Sequence, residues 1–159
     1  MTLATRAKLG VLAVLAAGVV VWLLLHDFVG HAGTKAVKWR DLTARVGPLE
    51  LPFEVSHVFT TRAQLASYLH WRRYRDEPRV PNVDFGRHRV LIVSSGVRTS
   101  SATSLQVVQV VEQHGRIVVS LRLRTASLGG PGSPRLVFPY VLVTVPPGGK
   151  HVQLKWLRS

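Results

Sequence analysis

The stretch Arg116-Ile117-Val118-Val119-Ser120-Leu121-Arg122-Leu123-Arg124 decides how the folded part of this chain is read. Ile117, Val119, Leu121 and Leu123 share one parity; Arg116, Ser120, Arg122 and Arg124 share the other, with Val118 the exception. A period of two sends successive side chains to opposite faces of an extended strand. The pattern predicts a strand with one face in a core and the other wet and basic. Gln113-His114-Gly115 just before it has turn chemistry, and residues 105–111 read as the strand entering that turn.

The same reading extends in both directions. Val90-Leu91-Ile92-Val93 is a continuous apolar run, as in a strand buried on both faces. Residues 141–145 form another strand, and Val152, Leu154 and Trp156 alternate after a turn at residues 146–149. Upstream, residues 51–58 read as a short strand. Thr60 and Thr61 offer an N-cap for a helix running to Arg73, with Leu65 and Leu69 on its inner face and Trp71 expected to pack inward. Pro78 and Pro81 end it in a loop. The sum is a mainly β domain over residues 49–159: a small two-sheet sandwich or partly closed barrel with one α-helix.

Ahead of this domain lies an apolar run from Leu9 to Leu25, behind Arg6 and Lys8, with no charge and no proline. At roughly 1.5 Å per helical residue it spans about 26 Å, close to the hydrocarbon core of a bilayer. It reads as a transmembrane signal-anchor helix, with residues 1–8 a short cytoplasmic tail and 26–48 a juxtamembrane linker. A cleaved secretory signal is the rival, since Gly30 and Ala32 provide small residues for cleavage. Arg6 and Lys8 favour a cytoplasmic N-terminus; Lys35, Lys38 and Arg40, on the other side, weigh against it. The expected location is a bacterial cell membrane, single-pass, with the domain outside the cytoplasm, or secreted if the segment is removed.

The chain has no cysteine, which excludes disulfides and thiolate metal sites. Its formal net charge is +13. Such a surface favours anionic lipid or wall polymer as partners, although charged faces are most often simply solvated. Lys38-Trp39-Arg40 has the residue types to rest on a membrane surface. The basic–aromatic stretch from Trp71 to Arg75 has the types that stack on and neutralise nucleic acid, but a helix-end role for its arginines explains it as well, so no nucleic acid is expected.

No catalytic constellation stands out. Carboxylates are scarce, and Asp84 suits ordering the turn at residues 83–86. The histidines at 57, 70, 88, 114 and 151 lack the spacing of a helical zinc site. The serines at 94–104 lack a nucleophile elbow. The loop from Gly129 to Pro134 has no Lys-Ser/Thr ending, and its prolines remove amide donors that a phosphate cradle needs. The expectation is no enzyme, no metal and no cofactor.

If strands adjacent in sequence pair antiparallel, the two long loops, residues 96–103 and 125–135, leave the sheet at the same end. Long loops on a rigid sheet are where binding residues concentrate. Arg98, Thr99, Ser100, Ser101, Leu128, Gly129, Gly130 and Arg135 are therefore the candidate partner-binding rim.

From Thr61 onward the layout resembles the C-terminal domain of the PrcB family, named for a subunit of a bacterial surface protease complex. The resemblance is carried by the helix with Leu65 and Leu69 and by Val83-Asp84-Phe85 leading into residues 90–93. It continues through Gly96 and its polar loop, residues 107–111, the His114-Gly115 turn, residues 117–121, and Pro139-Tyr140 before the strand at 141–146. Where family members often carry a glycine–tyrosine pair, this chain has Ser100-Ser101-Ala102-Thr103. The resemblance implies a non-catalytic protein-binding module, secreted or membrane-attached, that serves as an accessory subunit stabilising an envelope protease or other surface complex, with no cofactor.

Overall fold

The computed structural model describes residues 33–72, 77–125 and 134–158. The apolar run at residues 9–25 lies outside them, and no helix among the described residues is long and apolar enough to cross a membrane. The chain divides into two units, residues 1–34 and a compact unit of residues 35–159.

The elements are β1 (Thr34–Ala36), α1 (Thr43–Val46), β2 (Glu54–Phe59), α2 (Arg62–Trp71), β3 (Arg89–Ser95), β4 (Arg98–Ser100), β5 (Ser104–Gln113), β6 (Arg116–Arg124), β7 (Pro134–Val137), β8 (Tyr140–Val145) and β9 (Val152–Leu157). The described residues are mainly β and form three sheets, ordered β1-β5-β6-β9, β2-β3-β8 and β4-β7. They do not close into a barrel.

The three-stranded sheet is central because its middle strand is apolar on both parities. Val90 and Ile92, with Phe59 and Leu142, join Leu65 and Leu69 of α2 in one core cluster. Leu91 and Val93, with Val141, Val143 and Val145, pack against Ile117, Val119 and Leu121 of β6 in a second. Each of these β3 residues is at most 1% exposed. The continuous run at 90–93 is thus buried on both faces, as its composition requires.

The hairpin β5–β6 turns at His114 (φ +49°) and Gly115 (φ +74°). Two successive positive φ values match the twist of a tight hairpin, and glycine takes the second without strain. A bulge between Val107 and Gln109 re-registers β5. Leu105 and Val107 before it, and Val110 after it, all pack in the same cluster, which one unbroken period of two could not achieve. The outer face of β6 is drier than its sequence predicts. Ser120 is 7% exposed and Arg122 is half-buried, because β5 and β9 flank the strand on both sides.

Three expectations need correcting. Residues 35–48 are not a linker: Leu42 and Val46 are buried in the first cluster, and α1 adds a second helical element to the one expected. β9 pairs parallel with β6 rather than antiparallel with β8. Trp71 does not pack inward; it is 80% exposed.

Candidate functional site

The first candidate region is the rim. β4, inside the loop at 96–103, pairs antiparallel with β7, which begins at the end of the second loop; Arg98 stands opposite Val137 and Ser100 opposite Pro134. The ribbon starts where Gly96 takes a positive φ of +73° and lies close to the backbone of residues 52–54. The Val97 amide then donates to the Pro52 carbonyl at 3.2 Å. Ser100 closes the tip: its carbonyl accepts from the Thr103 amide at 3.0 Å and its hydroxyl oxygen from the Ala102 amide at 3.4 Å. Thr99, Ser101 and Arg135 are exposed. Leu128, Gly129 and Gly130 lie outside the described residues. Leu136, 61% exposed beside Arg135, was missed by sequence reasoning, which ended the second loop at Arg135.

The second region adjoins the first. Arg98 reaches Glu54, the first residue of β2, with Nη2 3.7 Å from Oε1. β2 is the edge of the central sheet, and the hydrogen bonds of β8 fix which way its backbone points. The Leu42 amide donates to the Leu142 carbonyl at 2.7 Å, and the Thr144 amide to the Arg40 carbonyl at 3.0 Å. The Leu142 amide donates to the Thr43 hydroxyl oxygen at 2.9 Å. Even-numbered residues of β8 therefore face away from β3, and Val145, Val143 and Val141 bond to Arg89, Leu91 and Val93. Val90, Ile92 and Ser94 are left to bond β2 through Phe59, His57 and Val55. The amides and carbonyls of Glu54, Ser56 and Val58 then point outward, and among the described residues no strand pairs with them.

A groove of about 580 Å³ runs beside this edge, between β2 and α2. From α2 it takes Gln64, Ser67, Tyr68, Trp71 and Arg72, a stripe at helical spacing. Thr61 caps the start of α2, accepting from the Gln64 amide at 3.3 Å, while Gln64 Oε1 accepts from the Thr60 amide at 3.1 Å. These bonds fix α2 against the end of β2. From β2 the groove takes His57 and Phe59, whose rings lie 4.7 Å apart. Tyr68 is 5.1 Å from the Phe59 ring and parallel to the His57 ring at 6.2 Å. Arg72 sits over Tyr68, 5.7 Å from its centroid. Burial raises the Tyr68 phenol above its ordinary pKa, against the opposing pull of the Arg72 charge. Phe53, 75% exposed, precedes the strand. The helical stripe was legible in sequence only after Trp71 is known to face out.

A third feature is a cleft of about 900 Å³ lined by Lys35, Lys38, Trp39, Arg40, Arg87 and His88, among others. Among the described residues its one carboxylate, Glu112, is ion-paired with Lys150, and Arg87 lies 3.6 Å from Asp84. Asp84 itself orders its turn, accepting from the Gly86 amide at 2.9 Å.

Among the described residues, no three His, Cys, Asp or Glu side chains gather as a metal site would require. The sequence matches no protein-family model, no curated protein and no solved structure.

Proposed function

We propose that this chain is a non-catalytic protein-binding module, held at a bacterial membrane by residues 9–25 with its β-rich domain outside the cytoplasm. In this reading the two larger sheets form a sandwich. The module serves as an accessory subunit of an envelope protease or another surface complex, as the PrcB resemblance implies. The observation that carries the reading is the β4–β7 ribbon, which pairs residues 98–100 with 134–137 and so sets Arg98, Thr99, Arg135 and the exposed Leu136 on one two-stranded element. A contiguous exposed apolar patch rimmed by polar groups marks an association surface, and Leu136 is the apolar group that the ribbon offers to one. The test is recovery of a membrane partner by the full chain and by an Arg98→Ala/Leu136→Ala variant. The variant should lose the partner; equal recovery by both refutes the rim.

The basic cleft favours a second reading, in which the domain binds anionic lipid or wall polymer. Lys35, Lys38 and Arg40 surround Trp39 there, cations and an indole of the kind that meets headgroups. Cosedimentation of the chain with anionic vesicles, falling steeply as salt rises, would support it.

A further inference from the structure

We infer that the open edge of β2 takes up an extended, acidic and aromatic or apolar segment of a partner polypeptide as an added strand. This deepens the protein-binding reading and rests on it, moving the main contact from the ribbon to the adjoining edge and groove.

The edge constrains the occupant first. Glu54, Ser56 and Val58 present three donors and three acceptors in a row. Only another extended backbone can satisfy such a row together, and edges of this kind are a common site of strand addition. Native proteins often blunt exposed edges with proline, lysine or a bulge. β2 contains no proline and no lysine, and its register with β3 is unbroken over all six residues. The edge is left in a form that pairs.

The groove then constrains the side chains. A strand added to β2 turns alternate residues toward the face that carries His57 and Phe59. There they meet Tyr68 and Trp71 across the groove. Trp71 is 80% exposed, a large apolar surface that a seated side chain would cover. Arg72 is the only formal charge lining the groove among the described residues, and no carboxylate lines it. A groove with a cation and aromatic walls fits an acidic side chain beside an aromatic or apolar one. The chain's net charge of +13 opposes a second copy at the same edge and favours a segment of opposite sign.

The test uses the full chain in detergent and a ten-residue peptide alternating glutamate with phenylalanine and valine. Binding should slow amide exchange at Glu54, Ser56 and Val58 while leaving Val55, His57 and Phe59, already bonded to β3, unchanged. A counterpart with lysine for glutamate should bind at least tenfold more weakly. Ser56→Pro removes one outward donor and Trp71→Ala one groove wall; each should weaken binding at least tenfold. Two N-methylated peptides keep the test independent of folding: methyls on one set of alternate amides should abolish binding and on the other set should spare it. No binding of the acidic peptide, equal binding of both methylated forms, or binding without protection of the three amides overturns the proposal. Protection that appears without peptide and grows with protein concentration assigns the edge to a second copy and also overturns it. Loss of partner recovery by the ribbon variant, alongside failure of the peptide, would leave protein binding standing and remove strand addition alone.

Discussion

Proline placed at position 56 or 57 reads the hydrogen-bond parity of β2 directly. His57 faces Ile92 in a bonded pair, whereas Ser56 turns its amide away from the sheet. Proline has no amide hydrogen, so its cost depends on which of the two it replaces. At 57 the ladder bond is lost, worth about 1 kcal/mol net, and the Ile92 carbonyl is stranded at a residue that is 0% exposed, adding about 1–3 kcal/mol. The sum is about 2–4 kcal/mol. At 56 no bond is lost, and proline also restricts the unfolded chain, so the change should stay within about 1 kcal/mol of zero. For a unit of this size each kcal/mol moves the midpoint by roughly 3–5 °C, so His57→Pro should lower Tm by roughly 6–20 °C. His57→Ala, which keeps the amide, separates the side chain's contribution from the backbone's. The assay is thermal and urea unfolding followed by circular dichroism. Equal destabilisation by both prolines, or a larger loss at 56, would refute the assigned parity and with it the open edge.

Other outcomes follow from the same structure. Gly96→Ala would force a Cβ at φ +73° to within 3.3 Å of backbone atoms of residues 52–54, and should destabilise by about 1–2 kcal/mol in urea titration. Tyr140→Phe removes the hydroxyl that donates to the Gly47 carbonyl and leaves that acceptor unmet, a loss of about 1–2 kcal/mol in the same assay. Burial, and secondarily the Asp41 charge, raises the Tyr140 pKa above its ordinary value of 10.0. Its contribution is therefore fully present below pH 10 and declines as pH rises further, so wild type should lose more stability above pH 10 than Tyr140→Phe does. Leu121→Ala, at a fully buried position of the second core cluster, should cost about 2–5 kcal/mol.

The elements were legible in the sequence because faces are local information. Residues 116–124 carry their period in nine positions, and the strand occupies those nine. Thr61 and the Leu65–Leu69 spacing likewise place α2, and continuous burial of residues 90–93 follows from their composition alone. Partners were not legible, because periodicity says which side of a strand is dry and nothing about which strand lies beside it. The bulge at Val108 hides in an apolar run that reads equally well in either register. Trp71 was expected inward, beside Leu65 and Leu69, yet those two already fill the inner face of α2, and Trp71 is left to wall the groove. The rim was reached from an assumption of antiparallel pairing between sequence neighbours, which fails for β8 and β9. β4 and β7 pair with each other, while β3 and β8 lie in one sheet and β5 and β6 in another.

The segment at residues 40–43 ties these departures together. Its glycine-punctuated surroundings and mixed charge make it look like connector, but it occupies the outer edge of β8. Arg40 and Thr144 exchange backbone and hydroxyl bonds, and Leu42 and Thr43 do the same with Leu142. With that edge filled, β9 has no bonding groups left on the strand it follows, although the short turn after β8 would otherwise bring it back alongside. It crosses instead to β6, where it runs parallel and covers the far edge of the four-stranded sheet. One consequence falls on β2. Among the described residues the central sheet has one edge covered by residues 40–43 and one left unpaired, and β9 has been committed elsewhere. Replacing Thr43 by valine removes the hydroxyl that meets the Leu142 amide and should cost about 1–2 kcal/mol in urea unfolding, because Leu142 is 0% exposed and its amide has no alternative partner there. Amide exchange at Leu142 should quicken in that variant while exchange at Ile92 holds; unchanged exchange at Leu142 would mean that residues 40–43 do not close the edge of β8, and that the openness of β2 has another cause.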